Sequence, residues 1–376
     1  MLTNSIKSTQ NQHPNNIRLK AEWEEQSAIL LSFPHANSDW ASRIDEARTC
    51  FIEIIRAIIA FEKVIICIDS QDFSGFVCLQ KEFGDFRTKT ITSKDFQNLA
   101  FKTLALNQNI TLVFVPTNDT WTRDFGAITI QSKSADNKTT CNMLLNFGFN
   151  GWGLKYSANF DNQINANLNK IGILKEQMQT LDFILEGGSI DTDGAGVLLT
   201  TSACLLEPNR NPSLNKSQIE SKLKEFLGVK RVLWVDSGYL RGDDTDSHID
   251  MLARFIDDQT IAYIGCDDRQ DEHYEALACM QKQLESFRQT NGKPYKLVRL
   301  PFVSPIYDNG ERLPASYANF LFVNGGLLVP TYEDTNDKQA LEILTNALPH
   351  LRVIGVNART LIKWHGSLHC ISMQLY

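Results

Sequence analysis

The chain has 376 residues, 43% apolar and 22% charged, the make-up of a globular protein and not of a disordered or fibrous one. Its 37 basic and 44 acidic side chains give a formal net charge of −7, a balance that argues against nucleic acid and favours small cations. No apolar run is long enough to span a membrane, and the eight cysteines include no C-x-x-C pair of a zinc knuckle or thioredoxin-like motif.

Residues 1–18 are polar, carry no apolar signal core and are expected to form a mobile tail. With no export signal and scattered cysteines, the thiols are expected to be reduced and the protein cytoplasmic. From residue 19 to 376 no linker or charge block divides the chain, so a single domain is expected. Short β-branched runs predict strands at Ala28–Phe33, Val64–Ile68, Thr111–Pro116, Ala127–Ile130, Met143–Phe147, Val197–Thr201 and Arg231–Val235. Others follow at Ile261–Ile264, Lys296–Leu300, Phe320–Val323, Leu327–Pro330 and Arg352–Val356. Apolar residues spaced by three and four predict helices over Ile44–Phe61, Leu214–Leu227, Asp271–Arg288 and Asp337–Ala347. This alternation reads as an α/β fold. The runs beginning at Lys63, Thr111, Arg231, Lys296 and Arg352 echo one another as buried strands ending in polar turns, which suggests repetition, although any α/β protein contains such strands.

Four segments gather reactive groups behind strand-like runs: Trp121-Thr-Arg-Asp124, Glu186-Gly-Gly188, Gly242 through His248-Ile-Asp250, and His365-Gly-Ser-Leu-His-Cys370. Each has a bland reading. The first is an aromatic anchor beside a surface ion pair; the second is a hairpin, since Asp193-Gly194 signals a turn. The third is a solvated acidic loop, although it lacks the spacing and terminal glutamate of a calcium loop. The fourth holds a cysteine of the kind usually packed in a core. Taken together, however, they supply what hydrolysis of a guanidinium requires. Carboxylates hold a planar cation's N–H edges, and a thiolate attacks its poorly electrophilic carbon. One histidine gives a proton to departing ammonia and then takes one from water. His248 and Asp250, two apart, would share one face of an extended strand. His369 would face away from Cys370, so His248 is the expected base and Cys370 the nucleophile. No G-x-S-x-G, Walker, G-x-G-x-x-G or H-E-x-x-H motif offers another chemistry, and neither cofactor nor metal is expected.

In order and spacing these segments resemble the agmatine deiminase and bacterial-type peptidylarginine deiminase family. Ala21-Glu-Trp-Glu-Glu-Gln-Ser-Ala28, Phe33-Pro-His35 and Cys204-Leu-Leu-Glu-Pro-Asn-Arg-Asn-Pro212 extend the likeness over about residues 18 to 376. The resemblance implies a five-bladed pseudo-fivefold α/β propeller (the pentein fold) of ββαβ modules. It further implies an amidino-thioether on Cys370, a proton shuttle at His248, and a guanidinium clamp of Asp124 and Asp250. Glu186 would pair with His248, and Trp121 would wall the pocket. The implied reaction converts agmatine to N-carbamoylputrescine and ammonia, in the synthesis of polyamines such as putrescine, and a homodimer is expected by analogy. Two departures bear on specificity: Asp191 stands where many relatives have histidine, and His365-Gly-Ser replaces a run of glycines. Asp243 or Asp244 would meet a substrate ammonium; Arg210 or Arg241 would meet the carboxylate of free, methylated or peptide C-terminal arginine. Amidino transfer on the same fold and non-catalytic binding of a cationic metabolite are the other readings.

Overall fold

The computed structural model describes residues 17–84, 91–133 and 139–376. One arrangement recurs five times: two antiparallel strands, a helix, and a third strand parallel to the second. Ile128–Lys133 and Thr140–Gly148 form the first such pair, and Gln177–Ile184 returns parallel after the helix Ile164–Lys170. Ile190–Thr192 and Val197–Thr201 are followed by the helix Lys216–Leu227 and Arg231–Val235. Ala253–Asp257, Thr260–Ile264, the helix Tyr274–Ser286 and Lys296–Leu300 repeat the pattern. So do Leu321–Val323, Gly326–Thr331, the helix Asp337–Ala347 and Arg352–Asn357. The fifth unit joins early and late segments of the described residues. Ser372–Leu375 pairs antiparallel with Ala28–Ser32, which runs through the helix Ile44–Ile59 to the parallel strand Val64–Ile68.

The middle strand of each unit is paired on both edges, and in three units it is covered on both faces as well. Ala28–Ser32, Val197–Thr201 and Thr260–Ile264 are buried along their whole length. The helices are one-sided: Ile44–Ile59 buries Phe51, Ile54, Ile55 and Ile58. A single contiguous cluster of buried apolar side chains extends from Leu19 to Leu375.

Several boundaries move for local reasons. The helix expected from Leu214 begins at Lys216, because the Asn215 side chain accepts from the Gln218 N–H and Gln218 bonds back, a reciprocal cap. The helix expected from Asp271 begins at Tyr274, because Asp271 Oδ1 accepts from the His273 N–H and holds a turn there. Of the expected tail, residues 1–16 lie outside the described residues. Ile17 and Arg18 belong instead to the strand Ile17–Leu19, which pairs with Ile128–Lys133. Among the described residues no helix is long and apolar enough to cross a membrane.

Candidate active site

Three of the four reactive segments line one solvent-open cleft, which includes Trp121, Asp124, His248, Asp250, Gly366 and Cys370, and the fourth, Glu186-Gly-Gly188, reaches it through the Gly188 N–H bond to Asp124. Specific bonds bring distant parts of the chain together here. The Thr122 hydroxyl lies 3.0 Å from the Leu30 carbonyl and 2.7 Å from the Ile371 carbonyl. The Arg123 N–H donates to the Cys370 carbonyl at 3.1 Å, which fixes the short helix Thr122–Phe125 against the segment that carries the cysteine. Asp124 then accepts from the Gly188 N–H at 2.9 Å and the Trp152 indole N–H at 2.8 Å.

Gly188 explains why the glutamate segment carries glycine. A Cβ at this position would lie 2.7 Å from His248 Nδ1, 2.8 Å from Asp124 Oδ1 and 3.0 Å from Asp250 Oδ2. Three functional side chains thus converge on one Cα. Gly366 plays a similar part beneath Trp121, whose ring would be 2.1 Å from a Cβ there. Trp121 walls the cavity, near Trp40, which stacks on Trp364 at 4.3 Å.

The Cys370 sulfur lies 3.2 Å from Asn319 Nδ2 and 3.7 Å from Asp250 Oδ2. Asp250 occupies a 3-10 turn, Ile249–Met251, and not the extended strand expected, yet both it and His248 line the cavity. Its Oδ2 is shared with His369 Nδ1 at 2.8 Å, while its buried Oδ1 has no partner among the described residues. His248 Nδ1 lies 3.6 Å from Asp124 Oδ1, and its buried Nε2 is likewise unpartnered. Buried polar atoms left open on a cavity wall are what a ligand with complementary N–H groups would satisfy.

A family model, the Porphyromonas-type peptidyl-arginine deiminase, matches residues 18–375. The chain belongs to this family. Its members are hydrolases acting on C–N bonds of amidines. It is 29% identical to an agmatine deiminase of Pseudomonas aeruginosa over 95% of each chain. It also resembles a substrate-bound agmatine deiminase of C. jejuni, at 40% identity and a TM-score of 0.82 over 96% of each chain. An agmatine deiminase of Enterococcus faecalis, solved while catalysing its reaction, superimposes with a TM-score of 0.81 at 27% identity over 96% of each chain.

Three expectations need correction for this deiminase-family chain. Glu186 does not hydrogen-bond His248: both carboxylate oxygens accept from Arg210 Nε at 2.9 Å, a guanidinium the sequence had offered to a substrate. The carboxylate, the Cys204 sulfur and a His248 ring nitrogen do lie within 4.8 Å of one another. Such donors suit a zinc ion. Here, however, the Arg210 cation already neutralises Glu186. Secondly, Arg241 is exposed and lies 3.7 Å from Glu272, and it does not line the cavity. Thirdly, Asp191 is not beside the pocket. It is buried behind it, where Oδ2 accepts from the Phe255 N–H and lies 3.4 Å from Arg254 Nε. His365 does line the cavity, with Nδ1 2.7 Å from the Gly242 carbonyl oxygen.

Asp244 lines the cavity and accepts from the Tyr156 hydroxyl at 2.8 Å. Asp243 spends its carboxylate inside its own loop, on the Ser247 N–H and the Thr245 hydroxyl. Sequence reasoning missed Asn319, Trp152 and Glu22. Nothing marks Asn319 beforehand, since its bonds to Cys370 and the His369 N–H cross fifty residues. Trp152 had a signal in Gly151-Trp-Gly153, where all three residues have positive φ. Glu22 gathers His369 at 2.8 Å, Arg254 at 2.5 Å and Arg123 at 3.2 Å.

Burial governs the electrostatics. It raises the Asp124 carboxyl well above the usual range, and the nearby Asp250 charge adds to the shift. Asp250 would rise as well, but the His369 hydrogen bond and charge bring it below its ordinary value. Burial, reinforced by Asp250 and Asp124, raises the Cys370 thiol well above normal. His248 falls to about 3, chiefly through burial and then Arg210, against the pull of Asp250 and Asp246. These shifts favour a thiol at Cys370, a neutral imidazole at His248 and ionisation of Asp250 ahead of Asp124.

Proposed function

We propose that this chain hydrolyses agmatine to N-carbamoylputrescine and ammonia, with Cys370 as the nucleophile. One observation carries the choice of substrate. Six aspartates line the cavity (Asp39, Asp119, Asp124, Asp243, Asp244 and Asp250), and among its described lining residues there is neither lysine nor arginine. A doubly cationic substrate suits that wall, whereas the α-carboxylate of arginine would find no partner and several like charges.

In this mechanism the guanidinium lies between Asp124 and Asp250, and its N–H groups reach the open Asp250 Oδ1. The cation lowers the Cys370 thiol, whose proton passes to His248 as the sulfur bonds to the guanidinium carbon. The carbon's bond to a terminal nitrogen breaks as His248 returns the proton, and ammonia leaves. His248 then takes a proton from water, whose oxygen attacks the amidino-thioether. The C–S bond breaks, the thiolate regains a proton, and the ureido product departs. Glu186 acts from behind His248, Trp121 covers the guanidinium plane, and Asp244 holds the distal ammonium. Replacing Asp244 by Asn should raise KM for agmatine far more than it lowers kcat; the reverse split would remove it from substrate binding.

The five ββαβ units support a five-bladed pseudo-fivefold ring enclosing the site in a single domain. Eight unpaired cysteines accord with a cytoplasmic setting, and exposed Leu154, Tyr156 and Phe160 offer apolar surface to a homodimer. Ammonia release from agmatine, arginine, methylated arginines and a short arginine peptide, with Cys370→Ala as control, tests the assignment. Agmatine turnover that depends on Cys370 is the expected result. Preference for arginine would overturn the substrate choice, and ammonia from Cys370→Ala would overturn the mechanism.

A further inference from the structure

Arg210 is the only cation that reaches Glu186 among the described ion pairs, and it also grips the loop that delivers His248. Its side chain is wholly buried. The guanidinium spends one edge on Glu186, then donates from Nη1 to Asp246 Oδ2 at 2.8 Å and from Nη2 to the Thr245 carbonyl at 3.0 Å. The gripped loop needs such a hold, because Asp246 and Ser247 both adopt the left-handed conformation, at φ 67° and 66°. Further bonds brace it: Asp243 Oδ2 accepts from the Ser247 N–H, the Thr201 hydroxyl donates to the Ser247 carbonyl, and Thr245 Oγ1 accepts from the His248 N–H. Among the described residues, Arg210 alone joins this loop to the carboxylate behind the imidazole.

We propose that Arg210 is a positioning residue for the reaction: it fixes Glu186 and the His248 loop in one frame. The inference rests on the deiminase reading of this site. The charged and titratable groups facing His248 are Asp124, Asp250, Glu186, Cys204, Arg210, Asp246 and Lys155; of these, Asp250 and Asp246 favour its protonated form, and Arg210 and Lys155 oppose it. Removing the Arg210 charge leaves Glu186 uncompensated beside His248 and favours the imidazolium. A lysine at this position preserves a charge but not the planar fork, so it cannot hold Glu186 and the loop together.

The test uses Arg210→Gln and Arg210→Lys in the full chain, with folding checked by circular dichroism. Steady-state kinetics on agmatine would be combined with ring-15N titration of His248 in the resting protein. Arg210→Gln should lower kcat on the order of 100-fold with KM little changed, and should move His248 titration upward. Arg210→Lys should leave His248 neutral yet still lose kcat. Asp246→Asn, which removes an anion facing the same ring, should not raise His248. Wild-type kcat with unmoved titration in Arg210→Gln would overturn the proposal, as would a rise of His248 in Asp246→Asn, which would mean general loosening. If Arg210→Gln does not fold, Arg210→Lys decides: full activity there overturns the role. The titration is read without turnover, so a wild-type protein inactive on agmatine would sink the functional reading separately.

Discussion

Gly188 shows how much of the site is set by single residues. Its missing Cβ is the space in which His248, Asp124 and Asp250 approach one another. Gly188→Ala should therefore abolish turnover, since an added methyl 2.7 Å from His248 Nδ1 must displace that ring or Asp124. Near-normal kcat in this variant would show that the three side chains do not act from the positions seen. The protonation states give a second expectation. Asp124 and Cys370 are both held above their ordinary values by burial, with Asp250 adding to each shift, so a bound guanidinium should drive protons off. Agmatine binding to Cys370→Ala, followed calorimetrically in buffers of different ionisation enthalpy, should release protons from Asp124 to the buffer. Uptake, or no transfer, would contradict the shift. The residues were unevenly legible. Cys370, His248, Asp250 and Asp124 stand in short segments whose chemistry fits one reaction, so the sequence showed them. Asn319 and Glu22 have partners far along the chain; no local pattern marks Asn319, and the segment that holds Glu22 carried a likeness but no role for it.

At the scale of elements, the long central strands and the amphipathic helices were readable because burial on both faces, or on one, writes directly into apolar spacing. Val64–Ile68, Val197–Thr201, Arg231–Val235 and Lys296–Leu300 end where the pattern ends. Of the first strands of the units, Ile128–Lys133 and Leu321–Val323 were anticipated, whereas Ile190–Thr192, Ala253–Asp257 and Ser372–Leu375 were not. Ile190–Thr192 is only three residues long, and Ser372–Leu375 mixes polar and apolar side chains although all four are buried. Such short edges owe their conformation to the neighbouring strand and carry little signal of their own. Helix starts were misplaced where capping side chains, not apolar spacing, decide them. Asn215→Ala should accordingly destabilise the protein by about 1 kcal/mol with no change in kcat. Denaturant melts with a shifted midpoint and an unchanged slope would confirm it, whereas an unshifted midpoint would mean the cap contributes nothing.

Over the whole molecule, segments near the start and the end of the described residues are tied into the site. Ser372–Leu375 pairs with Ala28–Ser32, and Glu22 joins Arg123, Arg254 and His369, the last of which holds Asp250. Removing one member of such a buried ionic cluster leaves its partners' charges unpaired. Glu22→Gln should thus cost about 3–5 kcal/mol of stability and weaken agmatine binding through Asp250. A stable variant with normal KM would detach the cluster from function.

The central claim is that Cys370 attacks the guanidinium carbon and that ammonia departs first. Acid-quenched turnover on agmatine, followed by peptide mass spectrometry, tests it most directly. The account expects an adduct on the peptide bearing Cys370 that retains the aminobutyl chain, because only a terminal nitrogen has left. An adduct carrying the bare amidino group would mean that the amine departs and that the chain is a transferase. An adduct on another residue, or none during active turnover, would contradict the assignment of Cys370.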